Sequence, residues 1–158
     1  MFLLEALFYF LAWTFIIYWI HRLCHTVSAL SYFHKFHHRY VAKNSITWHW
    51  SNLFLFNDDW PSTIDYWITE VLPTLIFVII TEQWWLGIGF YIYAAFIQEW
   101  LEHNPNFSLY PFYTSGKWHV LHHTAPPCNY GIGTPFWDWV FKTNKSSAFD
   151  KAVKVFSR

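Results

Sequence analysis

The sequence predicts an all-α, polytopic membrane protein of about three transmembrane helices, capped on its cytoplasmic side by histidine-rich helices. Three observations lead there. Hydrophobic residues make up 54% of the 158 positions and charged residues only 13%, about half the usual charged share. Three apolar stretches approach the roughly 20 residues that a spanning helix needs. Eight of the ten histidines fall in three short clusters that follow those stretches: His21 and His25, then His34, His37 and His38, then His119, His122 and His123. By length the chain reads as a single domain, 1–158.

The first stretch, 1–20, is interrupted only by Glu5. It has no basic leader and no small-residue cleavage site, so it is expected to remain in the mature protein. The second, "DYWITEVLPTLIFVII" (65–80), carries Pro73, where a kink is expected. The third, "WWLGIGFYIYAAFIQEW" (84–100), is separated from the second by Thr81, Glu82 and Gln83 alone. A tight antiparallel hairpin follows. Aromatic residues, 25% of the chain with twelve Trp, suit the membrane–water interface.

The ten basic residues orient the chain. Arg22, Lys35, Arg39 and Lys43 follow the first span, and Lys117, Lys142, Lys145, Lys151, Lys154 and Arg158 follow the third. With three spans both sets fall on one side, which the positive-inside rule makes cytoplasmic. Every histidine falls there too, and so does the C-terminus. The basic tail from Lys142 onward is expected to lie along the anionic inner leaflet. A net charge of zero gives no case for nucleic acid. Cys24 and Cys128 are too few for a disulfide framework and form no CxxC pair.

On a helix, positions i, i+3 and i+4 share a face. His34, His37 and His38 would project from one side, and His119, His122 and His123 likewise. His21 and His25 stack one turn apart at the end of the first span. Glu99, Glu102 and His103 end the third at the same depth. Neutral imidazole ligates iron, zinc, copper and nickel. Eight or nine imidazoles exceed one coordination sphere, so two ions are expected. His49, in "TWHWSN", is more ordinarily an interfacial polar residue and is only a possible further ligand. The Trp and Tyr stripes read as packing and anchoring.

Four segments carry a family likeness: "YWIHRLCH" (18–25), "HKFHH" (34–38), "HVLHH" (119–123) and "NYGIGTPFWDWVFKT" (129–143). Together they resemble the fatty acid hydroxylase/sterol desaturase superfamily of integral-membrane di-iron oxygenases, from about Tyr18 to Thr143. The resemblance implies that His21, His25, His34, His37, His38, His119, His122 and His123 are metal ligands, with His103 in "EWLEHNPN" at a further family histidine. It implies two iron ions, with zinc possible after isolation, and an O2-dependent hydroxylation or desaturation of a fatty acyl, sterol or related lipid. Two departures stand out. The family usually has four spans and here only one precedes the first histidines, so the first family span is expected to be missing, and the family's "HPxE" reads "HWSN" at 49–52.

A metal-bound imidazole usually donates its other N–H to a carboxylate or carbonyl. Asp138 is the favoured partner, with Glu99, Glu102, Asp58 and Asp59 also placed around the ligands. Asn129 and Gly131 are expected to form the turn that closes the site. The sequence has no GxGxxG and no cysteine cluster for a flavin or Fe–S centre. A separate donor such as ferredoxin, or cytochrome b5 with its reductase, is therefore expected to supply electrons. The alternatives are a zinc-dependent membrane hydrolase, which needs fewer imidazoles, and a b-type haem protein.

Overall fold

The computed structural model describes residues 2–43, 48–57, 59–125 and 127–145, without the side chains of 40–43, 99 and 100. Asp58, the Glu99 side chain and the basic tail from 146 onward lie outside the described residues. Among those described, every regular element is helical. Helix α1 is Phe2–Cys24, α2 Ser28–Lys43, α3 Trp60–Tyr66, α4 Leu72–Thr81, α5 Trp84–Phe96, α6 Gln98–Glu102, α7 Lys117–Thr124 and α8 Phe136–Val140. A short 3-10 turn occupies Trp50–Phe54, and a π-helical turn, Trp67–Val71, joins α3 to α4.

The second apolar helix is longer than its hydropathy suggests, because it starts before its apolar part. Asp59, in extended backbone, accepts a hydrogen bond from Ser62 N at 2.7 Å, and Pro61 occupies the first turn. This is an N-cap followed by a proline that needs no donor there. Asp59 is therefore spent on starting a helix and faces no histidine. The run Trp60–Thr81 holds 22 residues. With α1 it makes two helices long and apolar enough to cross a membrane.

Pro73 does distort this helix, one turn earlier than expected. Its missing N–H and its ring act on the carbonyls of the preceding turn. The ladder widens over Trp67–Val71, where Leu72 N–H reaches back to Trp67 O. An inserted π turn of this kind is a recurrent feature of functional sites. Glu70 lies inside it, buried at 7% exposure.

The expected hairpin is present: α4 ends at Thr81, Glu82 takes a left-handed conformation (φ 58°), and α5 starts at Trp84. The third apolar segment, however, stops at Phe96 rather than running to 100. At 13 residues α5 falls short of the length of a full span. Its helix breaks at Ile97 because Gln98 turns inward. There Gln98 accepts from Tyr66 Oη at 2.9 Å and donates to Glu70 and Glu102 at 2.9 and 3.0 Å.

Trp13, Ile17, Tyr66, Phe77, Leu86 and Phe90 form the centre of the apolar core. Trp13 is fixed there by a hydrogen bond from its indole N–H to Thr74 Oγ1 (2.9 Å) and an edge contact with Phe90. The other faces of α1, α4 and α5 display large apolar side chains outward, including Leu3, Phe8, Ile79, Ile80 and Ile88. A contiguous apolar exterior of this kind is rare on a soluble monomer and suits contact with lipid.

Candidate metal centre

Nine imidazoles converge where the C-terminal end of α1, the length of α2, the residue after α6, and α7 meet. They sort into two groups of four, His21, His25, His34 and His122, and His37, His103, His119 and His123. Within each group the candidate ligand atoms all lie within 4.8 Å of one another. His38 sits between the groups, its Nε2 3.1 Å from His34 Nε2 and its ring 4.2 Å from that of His123. His49 is brought to neither group. It is exposed, and its Nδ1 caps the 3-10 turn through Ser51 N and Oγ.

Neither H-x2-HH cluster is a site in itself. Successive residues turn about 100° around a helix, so adjacent histidines diverge. His122 points to the first group and His123 to the second, while His34 and His37 divide the same way.

Three members of the first group have their tautomer set by what Nδ1 touches. His21 Nδ1–H donates to Tyr130 O at 2.8 Å, and His122 Nδ1–H to Cys128 O at 2.6 Å. His34 Nδ1 lies 3.1 and 3.0 Å from the two carboxylate oxygens of Asp65. With the proton on Nδ1, each Nε2 presents a lone pair inward. Yet His25 Nε2 is 3.0 Å from His122 Nε2 and 2.9 Å from His34 Nε2. One N–H on His25 can relieve only one of these contacts. In the second group both nitrogens of His103 and Nδ1 of His123 are buried with no hydrogen-bond partner among the described residues, a costly state for polar atoms.

Burial also keeps the rings neutral. It lowers His25 from 6.5 to about 4, and His38 and His103 to about 3. His37, His119, His122 and His123 are likewise pushed down by burial and by one another. Converging neutral lone pairs with no proton to share are a donor set for a cation. Two nitrogens at about 2.1 Å from one ion are at most about 4.2 Å apart, so a 4.8 Å spread is close to closed. The residues fit one transition-metal ion per group.

The bracing of this centre differs from expectation in one respect that matters. Asp138, fully buried, has no hydrogen bond to a histidine among the described residues. It accepts from Tyr130 N and Gly131 N, both at 2.8 Å, and from Thr143 Oγ1 at 2.6 Å. Asp138 thereby holds the turn whose Tyr130 carbonyl receives His21. Gly131 is required at that approach, since a Cβ would lie 2.5 Å from Thr134 O and 2.7 Å from Asp138 Oδ2. Asn129, left-handed at φ 54°, ties the turn to Trp118 O and to both backbone groups of Lys145. It thereby joins the turn to α7 and to the segment after α8.

Glu102 also faces no histidine. It accepts from Tyr93 Oη at 2.8 Å and from Gln98 at 3.0 Å. Its backbone carbonyl takes Gly116 N–H, which anchors the start of α7 to α6. Asp65, with no role expected from the sequence, is the carboxylate that reaches His34, one of the candidate ligands, among the described residues. Its signal was its position: an acid buried on the α3 face that packs against α2. We expect Asp138→Ala to leave two buried N–H groups unpaired, at about 1–3 kcal/mol each. Thermal unfolding of the purified variant should show the loss.

Beside the centre lies a cavity of about 240 Å³, bounded mainly by Phe10, Trp13, Leu86, Phe90 and Ile132, with Glu70 also in its wall. Glu70 and Ile132 also border a crevice of about 10 Å³ that touches His21, His34, His37 and His119. The two spaces therefore share a wall beside the imidazoles.

Two helices long and apolar enough to cross a membrane, with two imidazole groups that could each hold a metal ion, set the class of the site. The family follows from comparison: the fatty acid hydroxylase model matches residues 6–143, and the chain belongs to that family. Very-long-chain aldehyde decarbonylase GL1-4 of Oryza sativa, from subspecies indica and japonica, is 27% identical over 151 residues, covering 85% of this chain and 22% of the relative. Delta(7)-sterol 5(6)-desaturase erg3B of Aspergillus fumigatus is 29% identical over 153 residues, covering 92% of this chain and 42% of its own length. The chain thus spans between about a fifth and two fifths of these relatives. No solved structure matches it significantly.

Proposed function

We propose that this protein is a membrane di-iron oxygenase that oxidises a lipid C–H bond. It would use O2 and electrons from a separate donor such as ferredoxin or cytochrome b5 with its reductase. The observation that carries this reading is the pair of four-imidazole groups facing each other across His38, beside an apolar cavity. His21, His25, His34 and His122 would hold one iron, and His37, His103, His119 and His123 the other, with His38 between them. Bound iron supplies the activation of dioxygen. The protein's own residues do the rest: Tyr130 O, Cys128 O and Asp65 orient three of the rings, and Trp13, Phe90 and Ile132 keep water from the cavity.

In this reading α1, the helix Trp60–Thr81, and α5 extended by α6 cross the bilayer. The histidines and the C-terminus lie on the cytoplasmic side, in keeping with the basic residues that follow the first and third apolar stretches. Nine imidazoles crowd one another, with ring centroids as close as 4.2 Å, whereas a b-type haem takes one imidazole on each face, which disfavours the haem alternative. The zinc hydrolase alternative would turn over without oxygen.

Hydroxylation is favoured over desaturation by the likeness to the fatty acid hydroxylase family, and the cavity of about 240 Å³ lies below the ordinary range for enclosing a whole drug-sized ligand. It would hold only the reacting end of a lipid. Turnover of candidate lipids under labelled oxygen, with a reductase present, tests the reading. Label in the product is the expected result and an unlabelled alkene indicates desaturation, while turnover without oxygen contradicts both.

A further inference from the structure

The segment from Tyr130 to Thr143 follows α1 contact by contact. Tyr130 O receives Nδ1–H of His21, near the cytoplasmic end of that helix. Gly133, at a positive φ of 80° that favours glycine, lies against the middle of α1. A Cβ there would be 3.7 Å from both Phe10 Cζ and Thr14 Cγ2. The Trp137 indole N–H then donates to Thr14 Oγ1 at 3.1 Å, and its ring centroid is 4.8 Å from that of Phe15. Phe141 returns to Tyr18 and Trp19, with ring centroids 5.3 and 5.1 Å away. Tyr18 Oη donates to Thr143 Oγ1 at 3.0 Å, since that hydroxyl gives its own proton to Asp138. The chain thus rises along α1 and comes back down. At 1.5 Å per residue, Thr14 stands about 10 Å from His21 toward the helix middle.

Backbone groups inside a bilayer need partners within the protein. Asp138 takes the N–H groups of Tyr130 and Gly131, Trp139 N–H bonds to Pro135 O, Phe141 N–H to Trp137 O and Thr143 N–H to Asp138 O. The outward side chains of α8 are apolar. Phe136, Trp139 and Val140 are exposed, Val140 by 50%, as are Phe15 and Ile16 on the stretch of α1 beside them. This apolar surface continues through Tyr110, whose ring lies 6.2 Å from Trp139, to the exposed Leu109 and Phe112. Lys142 and Lys145 are exposed where the segment ends. Between His103 and Lys145 the one acid in the sequence is Asp138, which is buried.

We infer that residues 130–143 form a re-entrant segment in the cytoplasmic leaflet beside α1, with Phe136, Trp139 and Val140 against acyl chains and Lys142 and Lys145 among anionic headgroups. The inference rests on the reading of α1 as a helix that crosses the bilayer. Lipid is the occupant of this face because the face continues the outer surface of that helix at the same depth, and the lysines at its base complement an anionic leaflet. The segment also gives Ile132 and Gly133 to the lining of the 240 Å³ cavity, with Phe10 and Trp13 of α1 and Leu86 and Phe90 of α5. One wall of that cavity is therefore a hairpin of chain held at membrane depth by Asp138.

The test is power-saturation EPR of single nitroxide labels on the zinc-loaded full chain, in nanodiscs of phosphatidylcholine and phosphatidylserine. Labels at Phe136→Cys and Val140→Cys are compared with Phe8→Cys, on the exposed face of α1, and with Lys145→Cys. Cys24 and Cys128 are buried, and wild type treated with the label gives their background. Oxygen concentrates in hydrocarbon and a nickel chelate stays in water. Oxygen is expected to relax the labels at 8, 136 and 140 more than the chelate does, with the reverse order at 145. Labels at 136 and 140 that read like the one at 145, while the label at 8 reads as lipid-immersed, overturn the inference and leave α1 in the bilayer. Labels at 136 and 140 shielded from both relaxants mean that a protein partner or a second copy covers this face, which also overturns it. A label at 8 relaxed mainly by the chelate overturns the spanning reading of α1 itself.

Discussion

Replacing His122 with alanine is expected to lower the metal content by one ion per chain and lipid oxidation by at least about a hundred-fold. His122 is fully buried in α7, and its Nδ1–H is held by Cys128 O at 2.6 Å. Its Nε2 is therefore committed to the first group, where it lies 3.0 Å from His25 Nε2. His38, between the groups, is the one of the nine converging imidazoles outside both of them. His119 and His123, in the same helix, serve the other group. The effect on oxidation exceeds the loss of one ligand, since the proposed chemistry needs both ions together. His49→Ala is the matched control: it removes an exposed cap of a 3-10 turn, at a cost of about 1 kcal/mol, and should retain both ions. Elemental analysis and turnover of the two purified variants check the contrast.

The second large effect is expected at Asp65. Asp65→Ala should weaken metal binding in the first group by about 10–100-fold, the usual consequence of removing a carboxylate behind a ligating imidazole. Asp65 holds His34 Nδ1 with both oxygens, at 3.1 and 3.0 Å, from a site 3% exposed. It keeps the N–H on Nδ1 and so keeps Nε2 available as a ligand. Without it the ring can rotate or change tautomer, and the second group, which Asp65 does not touch, should be spared. Asp65→Asn should fall between, because the amide oxygen still accepts from Nδ1–H but carries no charge. Metal release to a chelator, followed as two phases, distinguishes the groups. Equal loss from both would mean that Asp65 supports the fold and has no particular role at His34.

These two residues show how much of the site the sequence discloses. The nine clustered imidazoles are legible because so many ionisable rings have no ordinary place beside apolar helices. Their partition is not. Whether His122 joins His34 or His37 depends on how α7 docks against α2, which local spacing does not encode. Asp65 is missed for a related reason: hydropathy begins the second apolar stretch at that residue, so it reads as a boundary. The cap at Asp59 and Pro61 shows that the helix has already run for a turn, which carries Asp65 inside against α2.

Asp138 is the converse case. Its place in the "FWDWV" segment marks it as important, yet its hydrogen bonds go to the Tyr130 and Gly131 backbone, one step behind the ligand it was expected to touch. The hairpin at Thr81–Gln83 is legible from the turn alone. The early stop of α5 is not, because it follows from the inward hydrogen bonds of Gln98 to residues 28 and 32 positions away.

The central claim is that each four-imidazole group holds its own ion. The most direct measurement is the number of transition-metal ions per chain in purified wild type, in the single-group variants His25→Ala and His103→Ala, and in the double variant. Zinc in place of iron after purification would not alter the count, since zinc binds such ligands more tightly than ferrous iron. Two ions in the wild type, one in each single variant and none in the double variant is the predicted result. One ion in the wild type, or two ions retained in both single variants, would contradict it.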